Sequence, residues 1–443
     1  MAGNLIYLSI PGLRLVDVAD AGNAPTLHRW ASGGVLAELA PSFPCVTSTV
    51  QASTWTGVGP HDHGVIANGF YHRDRRQVEF WVGRNDIIQA PQIWDAVARA
   101  GLTSAVWHAQ NIKDAAADFI VTPEPIHQPD GTTKLWCYSK PDGLYQRLLD
   151  ELGHFPLQHY WGPLANIESS RWILNAAQWL IREHRPNFQY IYLPHLDYAA
   201  QKHGPDSVQA HQAVKDLDAL LAAFDAFIQT TPAGQDTVVL AVSEYALTPV
   251  NGCIFPNRLL AADGLLKTHE TSDGIVIDFG RSAAFAMVDH QCAHIYADPD
   301  QIRRVVDLFA GLDGIDAVHA GRERGRVGLD HPRSGEVIVV ARPDHWFAYY
   351  WWEKDGDAPP FARTVDIHRK PGYDPVELFF DPATRSIPLD ASLVRGSHGA
   401  PPGSAAQRGA LICSIATPYV VPGRIYSDTD VFGLVSGLLG IPI

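Results

Sequence analysis

The sequence predicts an α/β fold, a mostly parallel central sheet flanked by helices, with a smaller inserted α+β subdomain. Three observations predict it. Short apolar runs at 5–10, 103–107, 190–193 and 237–242 alternate with segments whose apolar residues recur at helical spacing. Pro, Gly or polar groups follow these runs at once, as at Pro11-Gly12, Pro194-His195-Leu196-Asp197 and Ser243-Glu244-Tyr245. The composition of the 443 residues, 46% hydrophobic and 19% charged, is that of a globular chain with enough length for a large core.

In chain order, Leu5 to Ile10 reads as a buried strand, and Pro25 to Ala31 as a helix with Pro near its start. Ile93 to Ala100 is amphipathic, and Thr103 to Trp107 reads as the next strand. Ser169 to His184 places Trp172, Ile173, Ala176, Trp179 and Leu180 on one helical face. The strand Tyr190 to Leu193 precedes a long helix from Ser207 to Gln229, and Thr237 to Val242 is a strand again. Alternation of this kind points to a sheet buried on both faces. Two stretches break it. Pro123 to Trp161, rich in Pro, Gly and aromatics, reads as a covering loop region. Residues 250–345 hold short strands and one helix, Pro299 to Leu312, and are expected to form the inserted subdomain between core segments 1–249 and 346–443.

The formal net charge of −14 argues against a nucleic-acid surface or an anionic membrane as partner. No apolar run approaches the ~18–20 residues of a membrane span. Met1 to Asn4 has neither a basic segment nor a cleavage site, so a cytoplasmic chain is expected. The five scattered cysteines, without a CxxC pair, read as reduced and mostly buried. Twenty histidines are more informative, because imidazole serves metal binding, acid–base chemistry and plain packing alike.

In open α/β sheets, sites form at the carboxyl ends of strands. The segments found there resemble, in order, those of the alkaline phosphatase superfamily, and within it the type I phosphodiesterase/nucleotide pyrophosphatase family, in a divergent bacterial subgroup. Pro25 to Val35 (PTLHRWASGGV) is similar to "PNLxxLAxxGV". Pro41 to Gly57 (PSFPCVTSTVQASTWTG) resembles the nucleophile segment, and Pro60 to Gly69 (PHDHGVIANG) resembles "PxxHGIxxN". Asp197 with Gly204-Pro205 stands at "PDxxGHxxGP", and Ser243-Glu244-Tyr245 at "SDHG". Gly396-Ser397-His398-Gly399 matches "GxHG", and Asp428 to Ile441 is similar to the closing "DVYxLxxxLLGI".

The resemblance implies hydrolysis of a phosphate ester or phosphodiester in a small-molecule substrate. A Thr attacks phosphorus, with divalent metals flanking it. The nucleophile position falls on Thr47, otherwise a helix N-cap; a side-chain donor to a phosphoryl oxygen falls on Asn68, otherwise a turn residue. His61 and His63 read as structural. Several implied metal positions lack a usual ligand: the first-strand Asp is Pro11, a His is Gln201, and "SDHG" offers Glu244 and Tyr245. Asp197 and His398 remain. The ionisable segment Arg363 to Asp381 is expected to compensate, with Asp366 and His368 on one side of an extended chain. The expected site is therefore Asp197, Glu244 and His398, with Asp366 or His368, around one or two divalent ions, zinc or else manganese or magnesium. Arg369 and Lys370 are candidates for holding substrate charge, and His195 is a further candidate ligand. The aromatic run Trp346 to Trp352 is core or pocket lining, and Trp136, Tyr138 and Trp161 are candidate covers of the site. Two alternatives stay open: phosphonate hydrolysis or phosphoryl transfer on the same scaffold, and a degenerate member that only binds a small anion or a partner. Oligomeric state is not legible.

Overall fold

The computed structural model describes residues 3–127, 133–232 and 234–442. A nine-stranded sheet forms its centre. Across the sheet the strands run Ile425–Tyr426, Val35–Leu39, Gly409–Cys413, Thr237–Val242, Asn4–Ser9, Phe188–Tyr192, Ser104–Trp107, Phe119–Pro123 and Cys137–Lys140. Of these, Gly409–Cys413 and Cys137–Lys140 oppose the rest. Asn4–Ser9 lies between two parallel partners, with Ser9 in register with Tyr192 on one side and Val242 on the other. That register brings three strand ends to one edge, so the polar residues that follow each of them converge there.

The apolar alternation along the central strand separates two cores. Leu5 and Tyr7 face one, while Ile6, Leu8 and Ile10 face the other. Helices Pro25–Gly33, Leu144–Leu152, Glu168–Glu183 and Val208–Thr230 cover the second face. Thr47–Thr56, Ile93–Arg99 and Asp428–Leu439 cover the first, together with an antiparallel sheet ordered Ala284–Asp289, Cys292–Ala297, Val337–Ala341, Ile315–Ala320. The segment 250–345 holds two helices, Pro256–Ala262 and Ile302–Phe309, where the sequence showed one. The aromatic run from Trp346 to Trp352 is buried in the first core.

The stretch Pro123 to Trp161 is not simply a covering loop. It supplies the edge strand Cys137–Lys140 and the helix Leu144–Leu152, bounded by Gly143 and Gly153, both at positive φ. Dense Pro, Gly and aromatic residues on either side hid a short amphipathic pattern. Residues 128–132 lie outside the described residues.

One buried carboxylate ties two helices of the second face together. Asp218, on Val208–Thr230, accepts hydrogen bonds from the backbone N–H groups of Thr26 (3.0 Å) and Leu27 (2.9 Å). These are first-turn donors of Pro25–Gly33, which has no side-chain cap of its own. Asp218→Ala is expected to cost about 2 kcal/mol in urea unfolding, because two buried donors lose their acceptor. A loss below about 0.5 kcal/mol would contradict this role.

Candidate active site

Thr47 is the first residue of the helix Thr47–Thr56, and extended Val46 is the cap. Every residue of this helix is buried, and Gly57 ends it in the left-handed conformation. The Thr47 hydroxyl therefore lies at the positive end of a helix held rigidly against the sheet edge. Thr47 Oγ1 is 3.1 Å from Tyr245 Oη, and Tyr245 Oη donates to Asp197 Oδ2 at 2.9 Å. A phenol carries one proton, so with that proton on Asp197 the Thr47 hydroxyl is the donor to Tyr245. All three side chains are buried and face one cavity of about 780 Å³.

Glu244 also stands beside the Thr47 hydroxyl, with its Oε2 unpartnered. Its Oε1 accepts from Ser9 Oγ (2.6 Å) and Gln51 Nε2 (2.7 Å), and Ser9 Oγ accepts in turn from Tyr190 Oη (2.9 Å). Burial pushes the Glu244 carboxyl up to about 8, against the pull of the Ser9 and Gln51 hydrogen bonds. Burial likewise pushes Asp197 up to about 7, with the Tyr245 hydrogen bond pulling it down. Tyr245 is held far above the ordinary phenol range, first by burial and then by the charges of Asp197 and Glu244. It stays protonated.

His398 donates from Nδ1 to the carbonyl of Cys45 (2.7 Å), which leaves Nε2 bare. Its ring lies on Tyr245 with centroids 3.5 Å apart and planes 7° apart. On its other side is His290 at 3.7 Å, which in turn stacks on Tyr373 at 3.7 Å. Burial keeps both histidines well below the usual imidazole range, and so neutral. His290 occupies the turn between Ala284–Asp289 and Cys292–Ala297, at a φ of 58°. Its neighbour Asp289 accepts from the backbone N–H and the Nδ2 of Asn68, while Asn68 Oδ1 accepts from Ser48 N–H at 2.9 Å. Asn68 thus braces the start of the Thr47 helix, where the sequence suggested a donor to a phosphoryl oxygen.

The remaining expected residues divide. The segment 363–381 does reach the cavity: Asp366, His368 and Tyr373 line it. Asp366 and His368 are not on an extended chain, however. Asp366 opens a turn, its Oδ1 accepting from His368 and Arg369 N–H, and its Oδ2 is paired with Arg369. His368 Nδ1 reaches only the carbonyl of Phe80, at 3.3 Å. Lys370 is buried between Asp374 (2.8 Å) and Glu377 (2.6 Å), and Arg369 also pairs with Asp273, so neither cation is offered to a substrate. His195 is buried with neither ring nitrogen partnered, and burial lowers it to about 4. His63 Nε2 meets Ser53 Oγ, and His61 pairs with Asp330, both as scaffold contacts. Trp161 does line the cavity, tied by its Nε1 to Glu377, whereas Trp136 packs on Tyr145 and Tyr138 bonds Asp114.

These donors do not fit a two-metal centre. Pro11 has no side-chain ligand atom, Gln201 Oε1 accepts from Tyr373 Oη (2.8 Å), and the Tyr245 phenol is spent between Thr47 and Asp197. Asp197 Oδ1, Glu244 Oε2, His290 Nε2 and His398 Nε2 keep free lone pairs, but a catalytic zinc needs three such atoms converging on one point. Among the described residues no group of three His, Cys, Asp or Glu is placed to hold a metal ion. The candidate set Asp197, Glu244, His398, Asp366 and His368 therefore does not close into a cage: one Glu244 oxygen is held by Ser9 and Gln51, and the Asp366 carboxylate is spent on its own turn.

Sequence reasoning passed over Gln51, Asp289 and His290, and took Tyr245 and Gln201 as losses. The polar Asp289-His290-Gln291 between two apolar runs was the available signal for the turn.

Residues 5–374 match the family described as type I phosphodiesterase / nucleotide pyrophosphatase. Among solved structures, the chain is similar to phosphonoacetate hydrolase from Sinorhizobium meliloti 1021 in complex with phosphonoacetate, at 17% identity and a TM-score of 0.65, covering 99% of this chain and 96% of that one. It is also similar to murine ectonucleotide pyrophosphatase/phosphodiesterase 5, at 15% identity and a TM-score of 0.62, covering 99% and 95%. An inactive threonine-to-alanine form of the murine protein has been solved in complex with AMP. These likenesses show the alkaline-phosphatase-like fold. Among the described residues, no helix is long and apolar enough to cross a membrane.

The two buried carboxyls set a pH dependence of stability. Their ordinary values of 3.8 and 4.5 rise to about 7 and about 8 on folding. Between about pH 4 and pH 8 the folded chain holds protons that the unfolded chain has lost. Stability therefore falls as pH rises, by up to about 1.4 kcal/mol per pH unit for each proton so held. Asp289 and Asp428, each raised to about 6, add the same sign. Burial lowers His195, His290 and His398, which acts with the opposite sign below about pH 6.5, so it is between about pH 6.5 and pH 8 that thermal unfolding is expected to show a falling midpoint, with a shallower fall in the Asp197→Asn/Glu244→Gln double variant. A parallel fall in parent and double variant would contradict the assignment.

Proposed function

We propose, because this chain belongs to the type I phosphodiesterase/nucleotide pyrophosphatase family, that it cleaves a phosphorus ester of a small molecule, with the Thr47 hydroxyl as nucleophile. The observation that carries this is the place of Thr47: first residue of a buried helix, facing the cavity, hydrogen-bonded through Tyr245 toward a carboxylate. A helix N-terminus favours the anion that attack creates, and Asn68 holds that terminus in place through Ser48 N–H. The murine structural neighbour likewise depends on a threonine, since its threonine-to-alanine form is inactive.

The cavity is of a size that suits a small molecule. Trp81, Tyr160, Trp161, Tyr192, Tyr198 and Tyr373 make an aromatic wall for its flat or apolar part. The lysine on that wall, Lys113, is paired with Glu124 at 2.5 Å. With no unpaired Lys or Arg among the described lining residues and a net charge of −14, a singly charged diester or phosphonate monoester fits better than a doubly charged phosphomonoester. A second reading, a protein that binds such an anion without cleaving it, is favoured by the ligands missing at Pro11, Gln201 and Tyr245.

The test compares bis(p-nitrophenyl) phosphate with p-nitrophenyl phosphate as chromogenic probes. Turnover of the diester above the monoester is expected, and Thr47→Ala should lose it by about 10³-fold or more with an unchanged unfolding midpoint. Saturable binding of the diester without turnover supports the second reading. Full activity in Thr47→Ala removes this hydroxyl from the reaction.

A further inference from the structure

We infer that the chain Thr47–Tyr245–Asp197 stands in for the metal pair: the Tyr245 phenol relays the Thr47 proton to Asp197, and cleavage proceeds without a bound metal centre. The inference rests on the reading of Thr47 as nucleophile and says how that hydroxyl is activated.

Its basis is the geometry around Tyr245. The relay needs a hydroxyl that accepts on one side while donating on the other, and Tyr245 Oη does so at 3.1 and 2.9 Å. It also needs that hydroxyl to stay in place, and the ring stack provides this. The phenol is pressed flat on His398, which is fixed by the Cys45 carbonyl on one nitrogen and by His290 across its other face. The Tyr245 backbone is pinned as well, since its carbonyl accepts from Gly12 N–H and from Ser243 Oγ. Gly12 matters for the approach: a Cβ there would stand 3.0 Å from Leu247 and 3.5 Å from Asp197 Oδ1, at a φ of 80° that other residues rarely adopt. The substitutions that remove metal ligands are therefore mutually consistent. Tyr245 fills the space beside His398, Gln201 is engaged by Tyr373, and Pro11 leads into the glycine packed against Asp197.

With a diester as substrate, the Thr47 Oγ1 lone pair forms a bond to phosphorus, and the bond from phosphorus to the leaving oxygen breaks with its electron pair. The Thr47 proton passes to Tyr245 Oη as the phenol proton passes to Asp197 Oδ2. Water then bonds to phosphorus, and the bond to Thr47 breaks. Its electron pair returns to Oγ1, which recovers a proton from Tyr245 as Asp197 reprotonates the phenol. Of the two water protons, one stays on the product phosphate and one goes to solvent.

The experiment uses the full chain, purified without chelator, and bis(p-nitrophenyl) phosphate. Elemental analysis should find well under one equivalent of zinc, manganese or magnesium, and prolonged dialysis against EDTA should leave the rate within about twofold. Tyr245→Phe keeps the ring stack and breaks the relay; its kcat should fall about 10²-fold or more with KM little changed. Rapid-quench mass spectrometry should find phosphorylated Thr47 in the parent and much less in the variant. Stoichiometric metal that Asp197→Asn or His398→Ala releases would overturn the inference. So would a rate that EDTA abolishes and metal restores, or a fully active Tyr245→Phe. A chelator-sensitive rate that still needs Thr47 defeats this inference alone, whereas no turnover under any condition defeats the nucleophile reading and this one with it.

Discussion

The hydrogen bond from Tyr245 to Asp197, made by a phenol lying flat on His398, is the contact on which the rest of the site depends. Those residues come from three separate parts of the chain, and only the sheet brings them together. Tyr245 follows Thr237–Val242, Asp197 follows Phe188–Tyr192, and the two strands flank Asn4–Ser9 in parallel register. A buried carboxylate with one oxygen unpartnered is costly, and desolvation dominates the upward shift of Asp197. The phenol hydrogen bond offsets part of that cost and at the same time points a second acceptor site at Thr47.

Around this contact the site is built from three polar networks. Glu244, Ser9, Gln51 and Tyr190 form a closed network below it, saturated on one carboxylate oxygen. The Asp289–Asn68–Ser48 connections brace the helix that begins at Thr47, and they come from the small antiparallel sheet. That second sheet therefore reaches the site through the single turn that carries Asp289 and His290. Farther out, Lys370 between Asp374 and Glu377, with Trp161 bonded to Glu377, fixes one aromatic wall of the cavity. A buried ion pair of this kind orients its surroundings more than it stabilises them.

Much of the architecture was legible in the sequence because buried parallel strands are short, continuous apolar runs: Thr237–Val242 was read to the residue. The helix Leu144–Leu152 was not, since nine residues between turn-forming segments give little periodic signal. At the site, sequence order located Thr47, Asp197 and His398 but misjudged what their neighbours do. Gln201 and Tyr245 read as vacancies in a ligand list, although each makes a new bond, to Tyr373 and to Asp197. Those partners lie 172 and 48 positions away, and nothing local encodes them. Asp366 and His368 failed for a local reason: an Asp that caps its own turn spends its carboxylate on the next N–H groups, which a strand-period reading cannot foresee.

The central claim is that a phenol, and not a cation, joins Thr47 to Asp197. It is tested most directly by a crystal structure of the protein soaked in excess zinc, with diffraction recorded at the zinc absorption edge. The expected map has no anomalous peak between these residues and leaves Tyr245 Oη within hydrogen-bond distance of both. A strong peak there, coordinated by Asp197 and His398 with the Tyr245 ring displaced from its stack, would contradict it.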